Sequence, residues 1–203
     1  MDCYNAMNNH LKRYFNDDEI FVFEEKYSPD FHLDLYIIVP AGHRDFFTLI
    51  TSGISSIPMS VPDPRYNPFI ELFTFLPGNW PIGREELGQD EYFWPIKLIK
   101  DLGRFPNDNQ TWLGFGHSIP EPADSHLYKK GFESTVLLKS KNIDEDFQKI
   151  EFENGVIDLL MPFPVTRKEL DYKKENGIEG LIKLYTEYEG DDLLTGERDG
   201  WIK

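Results

Sequence analysis

Several residues in this sequence are chemically able, but their spacing does not assemble familiar catalytic machinery. The five histidines, His10, His32, His43, His117 and His126, are scattered, and none stands at a His-Glu-x-x-His or comparable metal-ligand spacing. Cys3 is the single cysteine, so neither an intramolecular disulfide nor a thiolate zinc cluster can form. Asp144, Glu145 and Asp146 lack the glycine and the closing glutamate of a calcium-binding EF-hand and read as a solvated charged loop. Gly114 to His117 reads G-F-G-H, without the later glycine of a dinucleotide fingerprint or the Gly-Lys-Ser/Thr end of a phosphate loop. Those glycines fit a turn that neighbouring groups approach closely. Ser52, Ser55 and Ser56 follow an apolar run but form no G-x-S-x-G elbow. The sequence therefore predicts no enzyme, no cofactor and no metal. His117 fits two roles, a hydrogen-bonding residue in a groove or a histidine satisfied by backbone near a strand end.

The elements that must position these residues follow from composition and pattern. The 203 residues are 40% hydrophobic and 28% charged, which suits a single folded domain over 1–203. Phe31, Leu33, Leu35, Ile37 and Val39 alternate with polar or outward positions, so Ile20 to Pro40 is expected to hold two strands paired as a hairpin around Ser28 and Pro29. Strands are also expected at Phe46 to Gly53, Phe69 to Leu76, Thr111 to Phe115 and Phe132 to Lys139. Lys149 to Phe152 and Val156 to Met161 are expected to pair around Asn154 and Gly155. A four-proline stretch from Pro58 to Pro68, and the segment carrying Pro120 and Pro122, read as loops.

A helix is predicted from Asp90 to Gly103, with Pro95 in or before its first turn and Gly103 as its stop. Thr166 and Glu169 form a capping-box pattern, so a further helix should begin at Thr166 and stop near Gly177, followed by another from Ile178 to Tyr188. The N-terminal residues around Cys3 and the segment from Glu189 to Lys203 are expected to be loose. The fold class is α+β, a mixed, mostly antiparallel sheet with packed helices.

Charge then narrows the partners. Asp plus Glu number 36 against 21 Lys plus Arg, a formal net charge of -15. That excess repels phosphate backbones and anionic lipid, so direct nucleic-acid and membrane binding are disfavoured, while a basic protein partner is favoured. Acidity for solubility alone is the competing explanation. No secretory signal and no apolar span of membrane length is present, and one cysteine fits a reducing compartment, so a cytoplasmic protein is expected.

A series of motifs carries a resemblance: TLITSGIS from Thr48, ELFTFLP from Glu71, WPIKLIKDLGRFP from Trp94 and TWLGFGHSIP from Thr111. VIDLLMPFPVTRKELDYKKENGIEGLIKLY from Val156 continues it. Together they resemble the suppressor-of-fused-like domain family, in its short bacterial form. The resemblance implies a protein-binding domain without cofactor, and in bacteria an immunity protein, or antitoxin, that neutralises a toxin domain such as a basic nuclease by direct binding. The alternative is an intracellular adaptor holding an extended peptide of its partner.

Acidic residues concentrate at Asp17, Asp18, Glu19, Glu24, Glu25, Asp30 and Asp34, offset there only by Lys26, and again at Glu187, Glu189, Asp191 and Asp192. These two clusters and His117 are the candidate partner-binding residues. Trp94 and Trp112 are expected in the core, with a shared groove as the other reading. The oligomeric state is not legible.

Overall fold

The structure is a computed structural model that describes residues 1–25, 31–42, 44–83 and 85–202. Helix α1 (Cys3–Phe15) is followed by β1 (Ile20–Phe23), β2 (Asp34–Ile38), β3 (Phe46–Ser52) and β4 (Ile70–Pro77). Then come α2 (Asp90–Asp108), β5 (Ser118–Pro120), α3 (His126–Lys129) and β6 (Phe132–Leu138). Strands β7 (Lys149–Phe152) and β8 (Gly155–Thr166) and helix α4 (Arg167–Glu187) complete the order.

The strands form one eight-stranded sheet in the order β1-β2-β3-β4-β8-β6-β5, with β7 attached to β8. Every pairing between these strands is antiparallel except β4 with β8. Period-2 alternation sorts the strands' side chains into two cores. Leu33, Leu35, Leu49, Leu72 and Leu160 face α2, where Trp94, Ile96 and Ile99 are buried. Ile38, Ile50, Phe73, Ile157 and Leu159 face the other way, onto Met7 and Leu11 of α1 and Leu181 and Tyr185 of α4. Helices thus cover both faces of a central sheet. This is the expected α+β class, with the hairpin of β1 and β2 and that of β7 and β8 in place.

Six expectations are corrected. The N-terminus is not frayed, because Asp2 caps α1 by accepting the Asn5 N–H at 2.8 Å and the helix buries Ala6, Met7, His10, Leu11 and Phe15. Gly103 does not stop α2, which continues to Asp108. A Cβ there would lie 2.7 Å from Leu33 Cδ2 and 3.1 Å from Ile54 Cδ1, so the glycine lets the helix sit close on the sheet. Pro95 falls beyond the first turn, and Pro106 also lies inside the helix. Thr111 to Phe115 is irregular, and the strand begins at Ser118. β8 runs past Met161 through two prolines to Thr166.

The last correction is the C-terminal segment, which lies against the sheet. Leu194 donates its N–H to Phe75 O at 2.8 Å. Arg198 holds the Glu169 carboxylate at 2.6 Å and donates to Pro164 O at 2.7 Å. Helix α4 itself follows expectation: Thr166 and Glu169 make the capping box, and at Gly177 the backbone turns to φ 72° and ψ -177°, a kink between two helical halves. That conformation is essentially restricted to glycine. Ser28, Pro29 and His43 lie outside the described residues.

Candidate protein-binding surface

The N-terminal acidic cluster divides into residues used internally and residues left exposed. Asp18 is turned inward, its carboxylate 2.7 Å from Arg44 Nη2 with both side chains nearly buried. Glu25 pairs with Lys100 and Arg104 of α2 and accepts the Leu33 N–H at 3.3 Å. Asp34 accepts the Glu25 N–H at 3.0 Å, which ties the two arms of the hairpin together. Asp17, Glu19 and Glu24 are exposed. Asp30 and Lys26 lie outside the described residues.

The C-terminal cluster divides in the same way. Asp192 is buried and accepts hydrogen bonds from Tyr185 OH at 2.8 Å and from Ser140 Oγ. Burial and the Asp192 carboxylate together push the Tyr185 phenol far above its ordinary value, so this hydroxyl stays protonated as a donor. Glu187, Glu189 and Asp191 remain exposed. None of the six exposed acids belongs to an ion pair among the described residues.

His117 sits where β5 joins the sheet. The Gly116 N–H donates to Leu137 O at 2.7 Å and the Leu137 N–H donates to His117 O at 3.0 Å, so backbone holds this position as a strand end would. Its ring meets the edge of Trp112 at 4.2 Å, and Tyr66 lies on Trp112 at 4.5 Å. Gly116 adopts φ 82°, and a Cβ there would stand 2.9 Å from Ile178 Cγ1, so the glycine lets α4 come close behind the ladder. Burial, and then Lys173, holds the His117 imidazole below its usual value. Trp94 is a core residue, stacked on His126 at 4.7 Å, whereas Trp112 is half-buried. His117 and the two acidic clusters are placed by different elements, and no contact among the described residues joins them into one site.

Two features were not singled out from the sequence. On β1 the large apolar side chains Phe21 (55% exposed), Val22 (44%) and Phe23 (37%) face solvent at the end of the sheet. The signal available was a short apolar run between acidic residues. The other is Glu71, buried in β4, whose carboxylate accepts from the backbone N–H groups of Gly53 and Ser55 at 2.9 Å and from the hydroxyls of Ser55 and Thr51 at 2.7 Å. Its signal was one charge inside the run FIELFTFL.

Among the described residues, no group of three or more His, Cys, Asp or Glu side chains is placed to hold a metal, and no helix is long and apolar enough to cross a membrane. The sequence model of the suppressor of fused protein (SUFU) family matches residues 30–199. The chain belongs to the SUFU family. Its fold agrees with solved SUFU structures. A SUFU homologue from Neisseria gonorrhoeae superposes with a TM-score of 0.70 at 14% identity, covering 100% of this chain and 98% of that one. The protein in a Sufu–Fu complex gives 0.66 at 16% identity, covering 98% and 92%. Drosophila Suppressor of Fused gives 0.61 at 16% identity, covering 98% of this chain and 51% of that one. No curated protein sequence matches. SUFU is a protein-interaction family, and that is the level at which the fold speaks to function.

Proposed function

We propose that this chain is an immunity protein that neutralises a toxin domain with a basic surface by binding it directly in the cytoplasm, with no turnover of its own. The observation that carries this reading is the set of exposed acids Asp17, Glu19, Glu24, Glu187, Glu189 and Asp191, left without cations among the described residues while their neighbours are spent on internal bonds. A nuclease-like cleft must be basic to hold phosphate, so an acidic protein is steered to it and competes with its substrate. The Sufu–Fu complex, a protein–protein assembly built on this fold, supports a binding role.

The test is co-expression with the product of the neighbouring gene. Host growth should fail with the neighbour alone and recover when this chain is present. The association rate of the purified pair should fall by about tenfold or more between about 0.01 and 0.15 M ionic strength. A harmless neighbour, together with a pull-down that recovers no toxin-like protein, would overturn the reading. An adaptor that retains an extended peptide is the second reading, favoured by the open edge of β1, and it would show only modest salt dependence.

A further inference from the structure

β1 is the outermost strand, paired on one side with β2 (Ile20↔Ile38, Phe21↔Ile37, Val22↔Tyr36, Phe23↔Leu35). One bond fixes which of its backbone groups are free. The Val39 N–H donates to Glu19 O at 2.9 Å, so Glu19 and Val39 form a hydrogen-bonded pair of the antiparallel ladder. Hydrogen-bonded pairs alternate with open ones, so Phe21 and Phe23 point their N–H and C=O groups at β2. Ile20, Val22 and Glu24 then point theirs away from the sheet.

The side chains around that open edge are apolar on both faces. Phe21 and Phe23 lie on the α2 face, where Phe23 meets Phe93 at 6.4 Å and Lys100 Nζ lies 5.1 Å from its ring. Val22 lies on the α1 face. An exposed apolar edge of this kind invites strand pairing. Its flanks decide with what. A partner strand laid antiparallel on this edge places one residue opposite Glu19 and another, five positions along, opposite Glu24, and like charges directly opposite are destabilising. A basic residue in those two positions turns the same geometry into attraction.

We infer that the free edge of β1 is a docking strand for an extended segment of a protein partner. That segment carries a Lys or Arg at each end of a four-residue β-forming core, the basic ends lying opposite Glu19 and Glu24. The inference rests on the protein-binding reading above and adds a place and a recognition pattern to it. Backbone bonds from Ile20 and Val22 supply the pairing, Phe21, Val22 and Phe23 cover the core, and the two glutamates set register and disfavour a segment with acidic ends.

The experiment follows amide chemical shifts of the whole isotope-labelled chain during titration with a Lys-Val-Thr-Val-Thr-Lys peptide and with its twin carrying Glu at both ends. Shifts should concentrate on Ile20, Val22 and Glu24, and the Glu-ended twin should bind at least about tenfold more weakly. Val22→Pro removes one outward N–H without taking a bond from β2, a position where an edge strand tolerates proline, and should also weaken the Lys peptide by about tenfold or more. Val22→Thr should bind as the parent does. Glu19→Lys combined with Glu24→Lys should reverse the preference between the two peptides, a readout independent of whether the proline variant folds. Undiminished binding in a folded Val22→Pro chain, an unchanged preference in the charge-reversed chain, or no shifts on β1 would each overturn the docking strand.

The same variants separate this inference from the function proposed above. If the parent and Val22→Pro protect against the toxin equally, the immunity reading stands and the docking strand falls. If the parent gives no protection while the Lys peptide still titrates β1, the reverse holds.

Discussion

At the scale of single residues, Glu71 joins two motifs that are separate in sequence. TLITSGIS and ELFTFLP stand about one strand apart, and the buried Glu71 carboxylate accepts from the Gly53 and Ser55 amides and from the Thr51 and Ser55 hydroxyls of the first. Burial pushes this carboxyl above its usual range and the surrounding donors pull it back. His10 carries a pH-dependent counterpart. Packed against Tyr14 and Phe147, with no hydrogen-bond partner for Nε2 among the described residues, it is lowered from 6.5 to about 4 by burial and, secondarily, by Arg13, against a pull from the Phe147 backbone. The folded chain therefore takes up this proton only at more acid pH than the unfolded chain does. Its contribution is complete above about pH 6.5 and is lost as pH falls toward 4, by up to roughly 3 kcal/mol. The urea midpoint of the parent should fall across that window, and His10→Phe should lose that part of the pH dependence. Equal slopes in the two proteins would show that His10 does not carry the effect.

At the scale of elements, what was legible depended on how local the signal is. The capping box at Thr166 and Glu169 and the break at Gly177 are written within a few residues each, and both appear where expected. Gly103 carries the same residue type as a helix stop, yet its neighbours across the core, Leu33 and Ile54, decide its meaning. Thr111 to Phe115 has strand-forming residues but no ladder partner among the described residues. The C-terminal segment looked loose because its anchors are distant in sequence: Glu169 serves both the cap of α4 and the Arg198 guanidinium, and it also accepts the Trp201 N–H at 2.6 Å. Burial works to raise the Glu169 carboxyl, but Arg198 and the backbone donors hold it below its usual value. Arg198→Leu leaves that carboxylate, whose side chain is 0% exposed, without its cation, at a cost of about 3 kcal/mol or more. Hydrogen exchange should then quicken at Leu194, whose amide is bonded to Phe75, before it quickens in β2 or β3. Uniform quickening would mean that the segment is part of the global unit and not a strap on it.

At the scale of the whole molecule, the candidate residues were half legible. Charge counts cannot tell an acid that faces solvent from one that holds a hairpin together, so Asp18, Glu25, Asp34 and Asp192 looked equivalent to Asp17, Glu19 and Glu24 until their partners were visible. The internal pairing leaves the excess of -15 on the surface, and this sets a test that needs no partner. Unpaired like charges repel across the folded chain more than across the expanded one, and salt screens that repulsion over a Debye length of about 10 Å at 0.1 M. Screening also weakens the exposed ion pairs, such as Lys149 with Glu145 and Lys174 with Asp171, but each is worth only about 0–1 kcal/mol. The two most buried pairs, Arg44 with Asp18 and Arg198 with Glu169, are shielded from ions. Repulsion is therefore the larger salt-sensitive quantity, and the thermal midpoint should rise by a few degrees between about 0.01 and 0.3 M sodium chloride. Replacing Asp17, Glu19 and Glu24 by their amides should raise the low-salt midpoint and shrink the rise. A midpoint that falls with salt would mean that attractive pairs outweigh the surface excess, and the same excess would then be too weak a field to steer a basic partner.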